Sequence, residues 1–180
     1  MSRYFLHTEY AEDQPLARTI LTSHVLTRAV TTGAVIGTGI HGARELLQKL
    51  RAATSSKTTT ATPRARLAPY LRLAGRSTLW TTGISSLGLV AWMWGCEEIK
   101  WKDRSWRLLE NKGQVETDDW TCGGMALGPA AAVFLSKRPV GWVAAVGAVG
   151  AGSVVGTLGY MGWRYGIHGG KFEENPTYVG

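Results

Sequence analysis

The sequence predicts an all-α fold, a four-span transmembrane helix bundle packed through glycine, and three observations lead there. Ser77 to Cys96 and Val140 to Trp163 contain no Asp, Glu, Lys or Arg, and each is long enough to cross a hydrocarbon layer about 30 Å thick. The 20 Lys and Arg and 13 Asp and Glu that give the chain its charge of +7 are confined to the segments between such stretches, apart from Arg28. The 23 glycines recur at four-residue spacing inside the uncharged stretches. Together these argue against a soluble globular domain.

Residues 1–18 form an N-terminal segment made acidic by Glu9, Glu12 and Asp13, without the apolar core of a secretory signal or the basic character of a transit peptide. Any import signal is then internal, which suits a mitochondrial inner membrane protein and leaves a bacterial plasma membrane open. The first span covers about 19–43 and is interrupted only by Arg28. A charge inside a span is by default a functional candidate; if the span instead begins near Arg28, that side chain is interfacial. No other span offers an acid to pair with it.

Between the first two spans, residues 52–63 are a flexible tether rich in Ser and Thr, unable to bury enough apolar surface to fold alone. After it, Arg64, Arg66, Arg72 and Arg76 surround a face made of Leu67, Tyr70, Leu71 and Ala74. This basic segment either lies on anionic lipid or is a solvated lead-in to the second span, and Pro69 interrupts it. The second span covers 77–96. Residues 97–119 mix acids and bases with Trp101, Arg104, Trp106 and Arg107, which reads as a helical continuation of span two ending near Lys112 and Gly113. That segment either lies at the membrane interface or docks on a partner. The third span is 120–136, the turn Lys137-Arg138 follows, and the fourth is 140–163, so the membrane domain covers 19–165 and a tail covers 166–180.

Charge sets the orientation. The 44–76 loop holds eight Lys and Arg against Glu45 alone, and the 137–138 turn adds two more, whereas the opposite side is slightly acidic. Lys and Arg are retained on the negative-inside face, so the 44–76 loop faces the matrix and both termini face the intermembrane space. Tryptophan prefers the two interfaces, and Trp80, Trp92, Trp94, Trp120, Trp142 and Trp163 fall at span ends.

Within lipid, helices associate where small residues let backbones approach. Gly33 and Gly37 supply such a pair in the first span, and Gly124 and Gly128 in the third. Gly39, Gly42, Gly83 and Gly88 add lighter signals in spans one and two. The fourth span carries a stripe of Gly141, Ala145, Ala148, Gly152, Gly156 and Gly159, of which Gly152 and Gly156 are the expected centre of helix packing.

Lys112, Glu116 and the run Gly123-Gly124 with Gly128 keep the spacing of a basic residue, an acid and a small-residue Gly-x3-Gly motif. In these residues and in its layout of four spans the chain resembles the Tim17/Tim22/Tim23 family of mitochondrial inner membrane proteins. It departs from the family upstream, where Glu98 stands three residues before Trp101 in place of Gly or Ala. The resemblance implies one of two roles, a preprotein translocase subunit or an accessory subunit of respiratory complex I of the B14.7 type. The Trp-rich outer loop and the Asp118-Asp119 run before the Gly-Gly helix look closer to the second.

Nothing in the sequence points to catalysis. The glycine runs lie inside apolar spans rather than at strand-to-helix turns, and no nucleophile stands beside a base. His24, His41, His168, Cys96 and Cys122 show no zinc spacing, so no cofactor or metal is expected beyond bound phospholipid, with cardiolipin a candidate. The basic residues lack the interleaved aromatics of a nucleic-acid surface; the expected partners are anionic lipids and other membrane subunits of a large inner membrane complex. Cys96 and Cys122 bracket the outer loop at one depth, where they are either bridged in an oxidising compartment or free.

Overall fold

A computed structural model of the chain describes residues 5–54, 63–136 and 140–172, with side chains throughout except at 52–54 and 63–66. Most of the Ser/Thr tether, the side chains of Arg64 and Arg66, the 137–138 turn and the end of the tail therefore lie outside the described residues. Among the described residues all regular structure is helical. A single 3₁₀ turn at Ala11–Asp13 leads into α1 (Ala17–Thr54), α2 (Pro63–Met93), α3 (Glu98–Glu110), α4 (Lys112–Ser136) and α5 (Trp142–Met161), which runs on as a π-helical end over Gly162–Ile167.

Local chemistry places the boundaries. Pro63 opens α2, where its missing N–H costs nothing, while Pro69 and Pro129 sit inside α2 and α4 and each removes one helical hydrogen bond. Gly95, at φ +67°, stops α2 in a left-handed conformation that other residues disfavour. The outer segment is consequently not a continuation of span two: α3 is a separate helix, and α4 already begins at Lys112. Asn111 alone separates α3 from α4, and its Oδ1 accepts from the Gln114 N–H at 3.2 Å, an N-cap for α4.

The expectation of four apolar spans is met at one helix. Among the described residues only Trp142–Ile167 is both long and apolar enough to cross a membrane. The other long helices dilute their apolar content: α1 with Arg28 and repeated Thr, α2 with Ser77, Thr78, Thr81, Thr82, Ser85 and Ser86, and α4 with Glu116, Asp118 and Asp119.

The helix that passes is also the central one. α5 packs on α4, α2 and α1, and α1 packs on α2, whereas α2 and α4 scarcely meet. Glycine makes these approaches possible. A Cβ on Gly124 or Gly128 would overlap the carbonyl oxygens of Gly152 and Ala148, and one on Gly152 or Gly156 would overlap those of Gly124 and Trp120. On the neighbouring seam Gly75 of α2 meets the Val143 carbonyl and Gly147 meets that of Leu71. Gly33 and Gly37 bring α1 onto the α2 backbone at Thr78 and Ala74, and Gly150 faces Ala34 and Thr78. The stripe anticipated on α5 is thus one of two glycine faces; Gly147 and Gly150 form the other. Gly141, Gly39, Gly42, Gly83, Gly88 and Gly123 would take a Cβ with nothing within 4 Å, so these six do not pack helices.

The basic lead-in to span two is the first part of α2 itself. Its apolar face lies on α5, where Leu71 is buried with Ala132, Ala144 and Ala148, and Leu67 and Tyr70 pack beside them. Arg72 and Arg76 are exposed. Tyr70 meets His41 of α1 edge-on, ring centroids 5.5 Å apart.

Candidate functional site

Polar side chains gather at the end of the bundle where α3 sits. Asp118, in the second turn of α4, is almost fully buried and faces α1. His24 Nδ1 stands 2.7 Å from its Oδ2, and Arg28 Nη2 stands 2.9 Å from Oδ1. That same Nη2 donates to Gln114 Oε1 at 2.7 Å, so its contact with Oδ1 is an ion pair without an aligned hydrogen bond. Arg28 therefore has an acidic partner after all. The acid escaped the sequence because it lies two residues before the apolar run, on a turn that the helix adds to the span.

A second ion pair joins α4 to the end of α5. Arg164, 4% exposed, places Nη2 3.1 Å from Glu116 Oε2 and donates from Nη1 to the Lys171 carbonyl at 2.9 Å. The Phe172 ring covers the guanidinium, with Cζ of Arg164 3.7 Å from the ring centroid. Glu116 of the motif thus ties two helices, Gly124 and Gly128 let them touch, Lys112 is exposed at the start of α4, and Gly123 faces open space. Deeper along the same seam Thr121 and Thr157 share a hydrogen bond of 2.9 Å.

The segment expected to lie at the membrane interface or to dock on a partner packs, in this structure, on its own chain. Trp106 Nε1 donates to the Thr8 carbonyl at 2.8 Å, and its ring stacks on His7 at 5.5 Å. Arg18 lies over Trp101 at 5.8 Å, and Arg104 lies over Trp92 at 4.4 Å. Arg107 is largely exposed and pairs one turn back, with Asp103 at 3.0 Å. Gln14, 1% exposed, fastens the N-terminal segment by donating to the Leu6 carbonyl at 2.7 Å and accepting from Thr8. An amphipathic helix needs an apolar counterface, and the N-terminal segment with the start of α1 is the nearest one.

Cys96 and Cys122 are free thiols, not a bridge. Equal depth does not make them neighbours, because α2 and α4 are parted by the central helix; Cys96 Sγ turns back to the Trp92 carbonyl at 3.7 Å. Among the described residues no group of His, Cys, Asp and Glu could hold a metal ion.

An apolar groove of about 1010 Å³ runs along the α4–α5 seam. Trp120, Gly123 and Leu127 form one wall and Val155, Gly159 and Trp163 the other. Glu116 and Asp119 stand at one end, and Leu67, Tyr70 and Leu71 close the opposite end. The residues that reading the sequence missed are Asp118, Arg164, Gln14, Gly75, Gly147 and Gly150. For the glycines a signal existed in the adjoining small pairs Ala74-Gly75 and Gly147-Ala148; for Gln14 none did. No family model, curated protein or solved structure matches this chain.

Proposed function

We propose that the chain is a non-catalytic, membrane-embedded four-helix module that braces a larger assembly, as an accessory subunit of the membrane arm of respiratory complex I in the mitochondrial inner membrane. Both termini then face the intermembrane space. The observation that carries the reading is an inverted distribution of side-chain size. Trp80, Leu87 and Phe134 are 75%, 72% and 81% exposed, while the buried positions are mostly Gly, Ala, Ser and Thr, with Ile20, Leu71, Met93, Leu109 and Tyr160 as the larger apolar side chains among them. A bundle stabilised in water would bury its large apolar groups, and extended apolar surface marks contact with lipid or partner. Four helices have at least 20 residues, enough to span a bilayer at 1.5 Å per residue. Several of their hydroxyls bond back along the helix, as in Thr31 to the Thr27 carbonyl, Thr81 to Ser77 and Ser86 to Thr82, though the buried hydroxyls of Thr78 and Thr82 do not. The motif residues Lys112, Glu116, Gly124 and Gly128 support the family side of the proposal.

A second reading, a translocase subunit, is favoured by one observation, the long groove on the α4–α5 face. Its apolar walls suit a hydrated polypeptide poorly, which places the accessory role first. The test is alkaline carbonate extraction followed by native gels of mild-detergent extracts. The tagged chain should stay in the pellet and comigrate with complex I; release into the supernatant overturns the membrane reading, and comigration with a presequence translocase overturns the accessory role.

A further inference from the structure

We infer that the C-terminal half of α1 is a docking seam for a helix of another membrane subunit, one that runs parallel to α1 and presents Asp or Glu along one flank.

Spacing defines the seam. Ile36, Ile40, Ala43, Leu47 and Leu50 follow one another at intervals of four, three, four and three residues, the a and d positions of a heptad repeat. The four larger side chains are between 42% and 58% exposed, and Ala43 is exposed too. Within the bundle α2 meets a different side of α1, through Gly33, Gly37 and His41.

Length and charge decide what covers the seam. α1 runs unbroken for 38 residues, about 57 Å at the helical rise and longer than a bilayer of roughly 40–45 Å with its headgroups. Arg44, Glu45, Lys49 and Arg51 crowd its last turns, a stretch too charged for hydrocarbon. Lipid tails therefore reach Ile36 and Ile40 and leave Leu47 and Leu50 to protein. Arg44 and Arg51 stand one heptad apart at the e positions, both are exposed, and among the described residues neither pairs with an acid. In a parallel pair of helices each e position faces a g position of the partner. A second copy would offer Gly39, Leu46 and Ala53 there, with no carboxylate; antiparallel, it would set arginine against arginine. A helix carrying Asp or Glu at g instead meets both guanidiniums with charge-assisted hydrogen bonds.

The inference rests on the membrane reading, which decides where α1 leaves the lipid, and its test can fail separately. The full chain, with benzoylphenylalanine in place of Leu47, is irradiated in its native membranes, and the adduct is sequenced. The expected adduct is one helix of one other membrane protein, with acids a heptad apart beside its own apolar seam. Benzoylphenylalanine in place of Lys49, at position c and turned away from the seam, should not form it. Arg44→Glu and Arg51→Glu together should lower the yield about tenfold, as two attractive exposed pairs become repulsive, and should leave thermal unfolding unchanged. Replacing the acids of the sequenced partner helix with lysine should then restore the yield. No adduct, an adduct with this chain's own peptides, with lipid alone or with a segment lacking acids, or a yield indifferent to the charge reversals would each overturn the inference. Any of these outcomes in protein that still resists carbonate extraction leaves the membrane reading standing.

Discussion

Asp118 is the buried acid of α4 on which two side chains of α1 converge. It balances Arg28, which is 31% exposed, and the imidazole of His24. Breaking a buried pair leaves an uncompensated charge, so Asp118→Ala should lower unfolding free energy by about 3 kcal/mol, the low end for buried pairs because Arg28 retains some access to solvent. Asp118→Asn, which can still accept from His24, should cost less. Urea unfolding in micelles measures both, and an unchanged midpoint for the alanine variant would show that the cluster adds nothing to stability. The sequence displayed Arg28 as an isolated charge and Asp118 as a loop acid; only the register of α1 against α4 makes them a pair. Glu116 was legible through its motif spacing, but its partner Arg164 was not, since it follows the apolar run and looks like an ordinary flanking charge.

Among the elements, α3 is where reading by composition and reading by geometry diverge. Its charges, tryptophans and amphipathic pattern suggested a helix lying at the membrane interface or on a partner, and in the structure it packs on residues 7–18 of the same chain. No periodicity in an acidic, irregular N-terminal segment reveals that it is a counterface. Trp106→Ala should release that segment: loss of one hydrogen bond and one stacked ring is worth about 2 kcal/mol, roughly a thirtyfold faster amide exchange. Exchange at the amides of Thr8 and Asp13 reports it, and those within α4 and α5 should be unaffected; uniform acceleration throughout would mean that α3 supports the whole bundle. Glycine spacing read the α4–α5 seam well because two GxxxG-like pairs face each other. It read the α2–α5 seam poorly because Gly75 has no glycine four residues away on either side and Gly147 is offset from the α5 stripe.

For the whole molecule, the helical class was legible from the uncharged stretches, while the order of helices in space was not, because every glycine-bearing face is a candidate partner of every other. The answer turns on α5, the helix against which α4, α2 and α1 are arranged. This has a consequence for synthesis. As the chain emerges, α1 and α2 can pair at once through Gly33 and Gly37, but α4 meets neither extensively and must wait for residues 142–161. Assembly is therefore gated by the synthesis of α5, with the glycine face of α4 left bare until that helix emerges. A chain ended after Ser136 should keep an α1–α2 hairpin, detectable by a bifunctional thiol reagent that joins His41→Cys to Tyr70→Cys, whose rings meet in the full chain, while α4 becomes protease-sensitive; supplying α5 as a separate peptide should restore its protection. Premature termination would thus yield a half-built intermediate with an adhesive surface, a natural substrate for quality-control proteolysis.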